Sequence, residues 1–300
     1  DLYANDAIRW LKERDSKAPF FLMLSMAEPH TSIENPPAWN KRYRQFTSGP
    51  ALPIQSGLKA PPKLDLIARG PGEYYANVSY MDHQIGRVLK MLAKLRLHES
   101  TVVVFASDNG PVTSQWINWW EVNAYGSTGG LRGRKHFVYE GGIKVPAIIR
   151  YPNHIEANTE SDALVVGTDL FTTIAGLANV EVPKDRAIDG IDVWPTLTGE
   201  SGQSAQTDRH LLWALEGEAK GQTMPPFAWR EGNWKLMLNA DHSAAGLYDL
   251  KTDPLELFDL SSKEQALTQK MQARFVAALK DIKRDPLRSR MGQSSAPAKG

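Results

Sequence analysis

"VVVFASDNGP", residues 102–111, sets an apolar, β-branched run directly before Ser107, Asp108, Asn109 and Gly110. Val and Phe favour a buried strand, whereas Asp, Asn and Gly favour a turn. Such a strand end either turns the chain or presents two oxygen ligands, because open α/β sheets bind ligands beyond the carboxyl ends of their strands. Just upstream, Tyr74, Val78, Met81, Ile85, Val88, Leu89 and Leu92 recur at helical spacing, so 73–97 reads as a long helix that feeds the strand. Toward the amino terminus the order repeats: residues 2–14 read as an amphipathic helix, and "FFLMLSM" (20–26) as a buried strand ending at Glu28-Pro29-His30. Helix then strand, twice over, predicts an α/β fold with a largely parallel sheet covered by helices.

Between these units, residues 31–72 are rich in Pro, Gly and Ser and have no lasting period, which reads as a long loop region, of a length that is usually functional or mobile. Downstream, "KVPAIIRYP" (144–152) reads as a short strand and 168–177 as a helix. The polar stretch 200–209 then marks a boundary. Beyond it, "RHLLWAL", "FAWREGNWKLMLN" and "AGLYDLKTDP" read as short strands and turns, followed by a helix over 263–282. The expected organisation is a large α/β domain over 1–205, a small antiparallel sheet with a terminal helix over 206–288, and a disordered tail over 289–300.

Composition narrows the function. The 300 residues carry a formal charge of +1 and no basic run interleaved with aromatics, which leaves no electrostatic case for nucleic acid. No apolar stretch approaches the roughly 20 residues of a membrane span. With no cysteine, the chain encodes no disulfide, thiolate metal site or cysteine nucleophile.

Three polar clusters carry the candidate chemistry: Pro29-His30, Ser107-Asp108-Asn109-Gly110, and "LRGRKHFVYEGG" (131–142) with Arg132, Lys135 and Glu140. Singly, His30 reads as a satisfied histidine at a strand end and Lys135 as a surface lysine. Together they supply hard oxygen ligands for Ca²⁺ or Mg²⁺, a titratable imidazole and a compact ammonium, a set suited to a tetrahedral oxyanion.

The chain resembles the type I sulfatases of the alkaline phosphatase superfamily. The resemblance rests on "PFFLMLSMAEPHT" (19–31), "YYANVSYMDHQIGRVLKML" (74–92) leading to "TVVVFASDNG" (101–110), "GGLRGRKHFVYEGGIKVPAII" (129–149), "TDLFTTIAGLANVEVP" (168–183), "IDGIDVWPTLTGE" (188–200), "NWKLM" (233–237) and "LYDLKTDPLELFDL" (247–260). It implies an alkaline-phosphatase-like sandwich, a mostly parallel sheet with helices on both faces, plus a small carboxyl-terminal antiparallel sheet and terminal helix. It implies that Asp108 and Asn109 bind Ca²⁺ or Mg²⁺, that His30 contacts the sulfate and its leaving oxygen, and that Lys135 is a sulfate ligand. The family's formylglycine motif, two aspartate ligands and a Lys/His pair belong upstream of the region seen in this sequence. "SAPAK" (295–299) mimics that motif by coincidence, with Lys299 in the place of its arginine. The 300 residues therefore read as the later two-thirds of a sulfatase, incomplete for catalysis, and the family suggests a periplasmic or secreted protein.

Some positions leave two readings. Arg134, directly before Lys135, either faces outward or touches an anionic substrate. Trp116, Trp119 and Trp120, with Tyr125, either pack on the core or form an aromatic platform for a sugar ring. His210 and Trp213 open the small domain within possible reach of a substrate pocket. Asn77-Val78-Ser79 is a formal glycosylation sequon placed inside the predicted long helix. The leading function is hydrolysis of a sulfated carbohydrate or related sulfate monoester. The alternatives are a phosphomonoesterase or phosphodiesterase of the same superfamily, and a non-catalytic glycan-binding homologue.

Overall fold

The computed structural model describes residues 1–30, 33–46, 70–112, 125–200, 209–215 and 224–284. Trp116, Trp119, Trp120 and the 289–300 tail lie outside the described residues. The chain forms two compact units: residues 1–128 with 144–160, and residues 129–143 with 161–300.

The first unit is built on two helices. In α1 (Leu2–Glu13), Ala4, Ala7 and Leu11 share one face at helical spacing, and they pack with Val88 and Leu92 of α3 (Gly70–Lys94). Short α2 (Pro37–Arg42) sits beside α3, where the Trp39 ring lies 5.4 Å from that of Tyr80 and Asn35 bonds to Asn77. Asn77 is only 2% exposed, so burial closes the sequon to glycosylation in this fold. The long helix ends at Lys94, and the chain turns through Arg96 (φ +57°) toward β1 (Val103–Ala106).

Two expectations change here. The run 20–26 takes no place in a strand ladder among the described residues. It is extended with period two instead: Phe20, Leu22 and Leu24 pack on the α1/α3 core while Phe21 and Met23 stand exposed, so only one face of the apolar run is buried. Hydrophobicity marked the segment correctly as core-forming but carries no information about a pairing partner. Second, β1 pairs with β2 (Ala147–Arg150) antiparallel, Val103 opposite Arg150 and Ala106 opposite Ala147, rather than in the parallel manner expected of the main sheet.

The second unit stacks three layers. Strands β3 (His210–Ala214), β4 (Phe227–Glu231), β5 (Trp234–Leu238) and β6 (Ala244–Asp249) form an antiparallel meander in sequence order. The turn between β4 and β5 uses Gly232 at φ +55°, a conformation costly for other residues. Phe227, Trp229, Leu236, Leu238 and Leu247 line one face and meet Met271, Phe275 and Leu279 of α7 (Gln265–Arg284). This is the antiparallel sheet with terminal helix that the sequence predicts. Register puts Arg230, Lys235 and Tyr248 on the opposite face. There they meet the segment 129–143, which ends in the single turn α4 (Glu140–Ile143). Helices α5 (Asp169–Leu177) and α6 (Trp194–Leu197) belong to the same unit and are tied together by Asp169, Thr173 and the 191–193 backbone.

Candidate functional site

In the first unit, β1 carries its apolar residues to Ala106 and releases the chain at Ser107. The Ser107 N–H donates to the carbonyl of Pro146 at 3.3 Å, which holds the strand end against the start of β2. Asp108 follows with an exposed side chain. Its Oδ1 accepts the N–H of Asn109 at 2.9 Å. The Asn109 amide is oriented by its Nδ2, which donates to the Gly110 carbonyl at 2.9 Å, and Ser107 Oγ donates to the Asn109 carbonyl at 3.1 Å. The segment turns, and the turn's own hydrogen bonds hold one carboxylate and one carboxamide side by side. Asp108 Oδ2 and Asn109 Oδ1 are not consumed by these bonds, and both are hard oxygen donors of the kind Ca²⁺ and Mg²⁺ prefer.

Those two oxygens suit a divalent cation as part of a shell of six or more. Among the described residues no group of three His, Asp or Glu side chains converges on one point, so the described part of the chain offers a partial donor set. His30 lies in the same unit at the end of the extended segment, exposed, with its N–H donating to the Ala27 carbonyl at 2.9 Å. The extended segment and Val103 of β1 rest on the same α1/α3 core.

The second unit carries the cationic residues. Arg134 to Phe137 form a tight turn closed by the Phe137 N–H on the Arg134 carbonyl at 3.0 Å, with Lys135 and His136 at its two central positions. His136 takes φ +74°, as the third residue of a type II turn must. Lys135 is half-buried at the second position of this turn. The flanks of this turn are close-packed. A side chain on Gly141 would drive its Cβ into the carbonyl oxygens of Leu131, Arg132 and Gly133. The Gly141 N–H donates to the Arg132 carbonyl at 2.7 Å.

Beneath the turn lies a buried charge cluster that joins Arg132 and Glu140, marked in the sequence, to Lys235 and Glu256, which are not. Lys235 Nζ, on a fully buried residue, is 2.8 Å from Glu140 Oε1 and 2.8 Å from Glu256 Oε1. Glu256 Oε2 accepts the N–H of Glu140 at 2.7 Å, and Arg230 Nη1 lies 3.9 Å from Glu140 Oε2. Arg132 donates to the Glu256 carbonyl at 2.7 Å and to Tyr248 Oη at 3.2 Å, with its guanidinium 4.2 Å from the Tyr139 ring centre. Burial pushes the Glu256 carboxyl above its ordinary range against the pull of Lys235. Burial also pushes the Tyr139 hydroxyl up to about 12, with Arg132 opposing. In the sequence, Arg132 and Glu140 stand out with Lys135, whereas Lys235 shows only as a lysine inside the apolar strand "WKLML" and Glu256 does not stand out at all.

His210 opens β3 opposite Glu231, with its ring 5.4 Å from that of Trp229, so its described neighbour is a core aromatic. No described helix is long and apolar enough to cross a membrane.

Comparison with known proteins agrees with this architecture. The Sulfatase family model matches residues 1–180, and the model described as N-sulphoglucosamine sulphohydrolase, C-terminal, matches 133–285. Human steryl-sulfatase is 33% identical over 193 residues, 64% of this chain and 28% of the relative. The N-acetylgalactosamine-6-sulfatase of Canis lupus familiaris is 38% identical over 213 residues, 71% of this chain and 34% of the relative. The chain thus spans about a third of the length of these curated relatives. Among solved structures, Ps i-CgsB in complex with k-i-k-neocarrahexaose superposes with a TM-score of 0.70 at 23% identity, covering 90% of this chain and 52% of that one. A protein crystallised with its substrate D-glucosamine-2-N,6-O-disulfate gives 0.70 at 20% identity, covering 95% and 70%. The phosphonate monoester hydrolase of Agrobacterium radiobacter gives 0.62 at 22% identity, covering 91% and 59%. These likenesses extend over both units of the chain, and with the family match across residues 1–180 they show that it belongs to the sulfatase family.

Proposed function

We propose that this chain is the metal- and sulfate-binding portion of a sulfuric ester hydrolase that acts on a sulfated carbohydrate. The observation that carries the reading is the Asp108–Asn109 pair, held by its own turn at the end of β1 in a chain of the sulfatase family. The pair fits Ca²⁺ or Mg²⁺, which when bound would hold and polarise a sulfate oxygen. Lys135, on the resemblance to the sulfatases, is read as a sulfate ligand, and a positive charge placed for an oxyanion is a large source of rate enhancement in group transfer. His30 hydrogen-bonds the leaving oxygen and delivers a proton to it. Arg134 and His210, with Trp116, Trp119 and Trp120, are the candidate sugar contacts of this reading, on the chemistry of their side chains alone.

A formylglycine nucleophile, further metal ligands and a mostly parallel main sheet with helices on both faces are what membership of the sulfatase family adds to this reading. A periplasmic or secreted location is part of the same reading. The relative whose structure holds D-glucosamine-2-N,6-O-disulfate supports the choice of substrate class. The test is anion release by the whole polypeptide from paired sulfated and phosphorylated monosaccharides. Sulfate release at the higher kcat/KM is expected; preference for the phosphate esters would move the protein to the phosphate-hydrolysing branch, which a phosphonate hydrolase of the same fold makes a real contrast.

A further inference from the structure

The segment that carries Lys135 does not belong to the unit that flanks it in sequence. Residues 1–128 and 144–160 form one unit, while 129–143 packs on the β4–β6 sheet of the other. Both flanks of the Lys135 turn are fastened to that sheet. On the amino-terminal side, Arg132 reaches the Glu256 carbonyl and Tyr248 Oη. On the carboxyl-terminal side, Glu140 gives its side chain to Lys235 and its N–H to Glu256. The Gly141 N–H on the Arg132 carbonyl locks the two flanks to each other. Glu256 completes the arrangement with its backbone at φ +56°, a sparsely populated region for a non-glycine residue.

Burying three charges is a poor way to gain stability, because desolvation cancels most of the attraction and an apolar replacement of similar volume is often as stable. A cluster of this kind does specify one geometry, since each partner has a single place where it is satisfied. The geometry points to Lys235, through Glu140 and Glu256, as the positioning residue that fixes the ammonium of Lys135 for the oxyanion. Lys235 is fully buried and touches no substrate; it acts on the turn. This rests on the reading of Lys135 as a sulfate ligand.

The test uses the whole polypeptide with Lys235→Met, Lys135→Ala and the double variant. A displacement on the order of 1 Å at a charge-stabilising group costs about a hundredfold in rate. In Lys235→Met, assayed below its melting temperature, kcat/KM for the sulfate ester should therefore fall by about that factor. In the double variant the loss should equal that of Lys135→Ala alone, because the clamp has nothing left to position. Losses that multiply, or unchanged kcat/KM in folded Lys235→Met, would overturn the proposal. Arg132→Gln, which cuts only the amino-terminal fastening, should show the same non-additivity if Lys235→Met does not fold. Hydrogen exchange separates this idea from the sulfatase reading. Loosened amides over 131–142 with unchanged protection in α7 support the clamp even if no sulfate ester is hydrolysed, and unchanged exchange over 131–142 refutes it whatever the activity.

Discussion

Arg209 grips the fully buried carboxylate of Asp169 with both arms of its guanidinium, from forty residues downstream in sequence. Asp169 also accepts the N–H groups of Val166 at 2.8 Å and Ile191 at 3.1 Å, while Arg209 donates to the Leu164 carbonyl at 3.1 Å. One carboxylate thereby joins the start of α5, the segment preceding α6 and the entry to β3. Arg209→Ala leaves a buried, uncompensated negative charge and should cost about 3–5 kcal/mol. Urea unfolding measures it; a loss below about 1 kcal/mol would mean the pair is only a surface contact.

Two glycines predict opposite signs. At Gly86, inside α3, an added Cβ meets nothing within 4 Å, so Gly86→Ala should raise stability by about 1 kcal/mol through helix propensity alone. Gly141→Ala forces a Cβ into three backbone carbonyls and should cost about 1–3 kcal/mol. Thermal melts of the two variants should move in opposite directions.

Tyr139 gives a pH dependence of known sign. Its hydroxyl ionises at about 12 in the folded chain, above the ordinary value of about 10 for an unfolded tyrosine. Between those values the folded state holds more protons than the unfolded one, so stability is full below about 10 and is lost as pH rises toward about 12. Tyr139→Phe should remove that part of the alkaline slope. Phenolate absorbance should show one tyrosine fewer titrating late; an unchanged slope would show that Tyr139 titrates normally.

Much of the fold was readable because burial imposes a period. The apolar faces of α1, α3 and α7 recur at helical spacing, and the β4–β5 hairpin announces itself by Gly232-Asn233 between two aromatic runs. Pairing was not readable: 20–26 and 103–106 look alike in composition, yet only the second joins a ladder among the described residues. The Asp108–Asn109 pair was legible because polar oxygen donors end an apolar strand. The Lys235 cluster was not, since its partners lie 95 residues upstream and in a loop beyond β6, and nothing local distinguishes a buried lysine in a strand from a solvated one. Segment 129–143 likewise reads as part of the unit around it until its long-range ties to Glu256 and Tyr248 are seen.

The metal reading makes a reversible prediction. A chelator should abolish sulfate release by the whole polypeptide, and added Ca²⁺ or Mg²⁺ should restore it, because two neutral or anionic oxygens at the end of β1 cannot by themselves balance the charge of a sulfate. Activity indifferent to chelation would remove the metal from the account.

The most direct measurement is kcat/KM for release of sulfate from a sulfated monosaccharide by the whole polypeptide, compared with Asp108→Ala and with both proteins shown to be folded. Asp108 is exposed and its only described bond is to its neighbour's N–H, so its removal should leave the fold intact. The account predicts measurable turnover and a fall of at least about a hundredfold in the variant, the scale of losing a charge-stabilising group. Turnover in the variant within a factor of about two of the parent, well under the ~1.4 kcal/mol that a tenfold change represents, would contradict it.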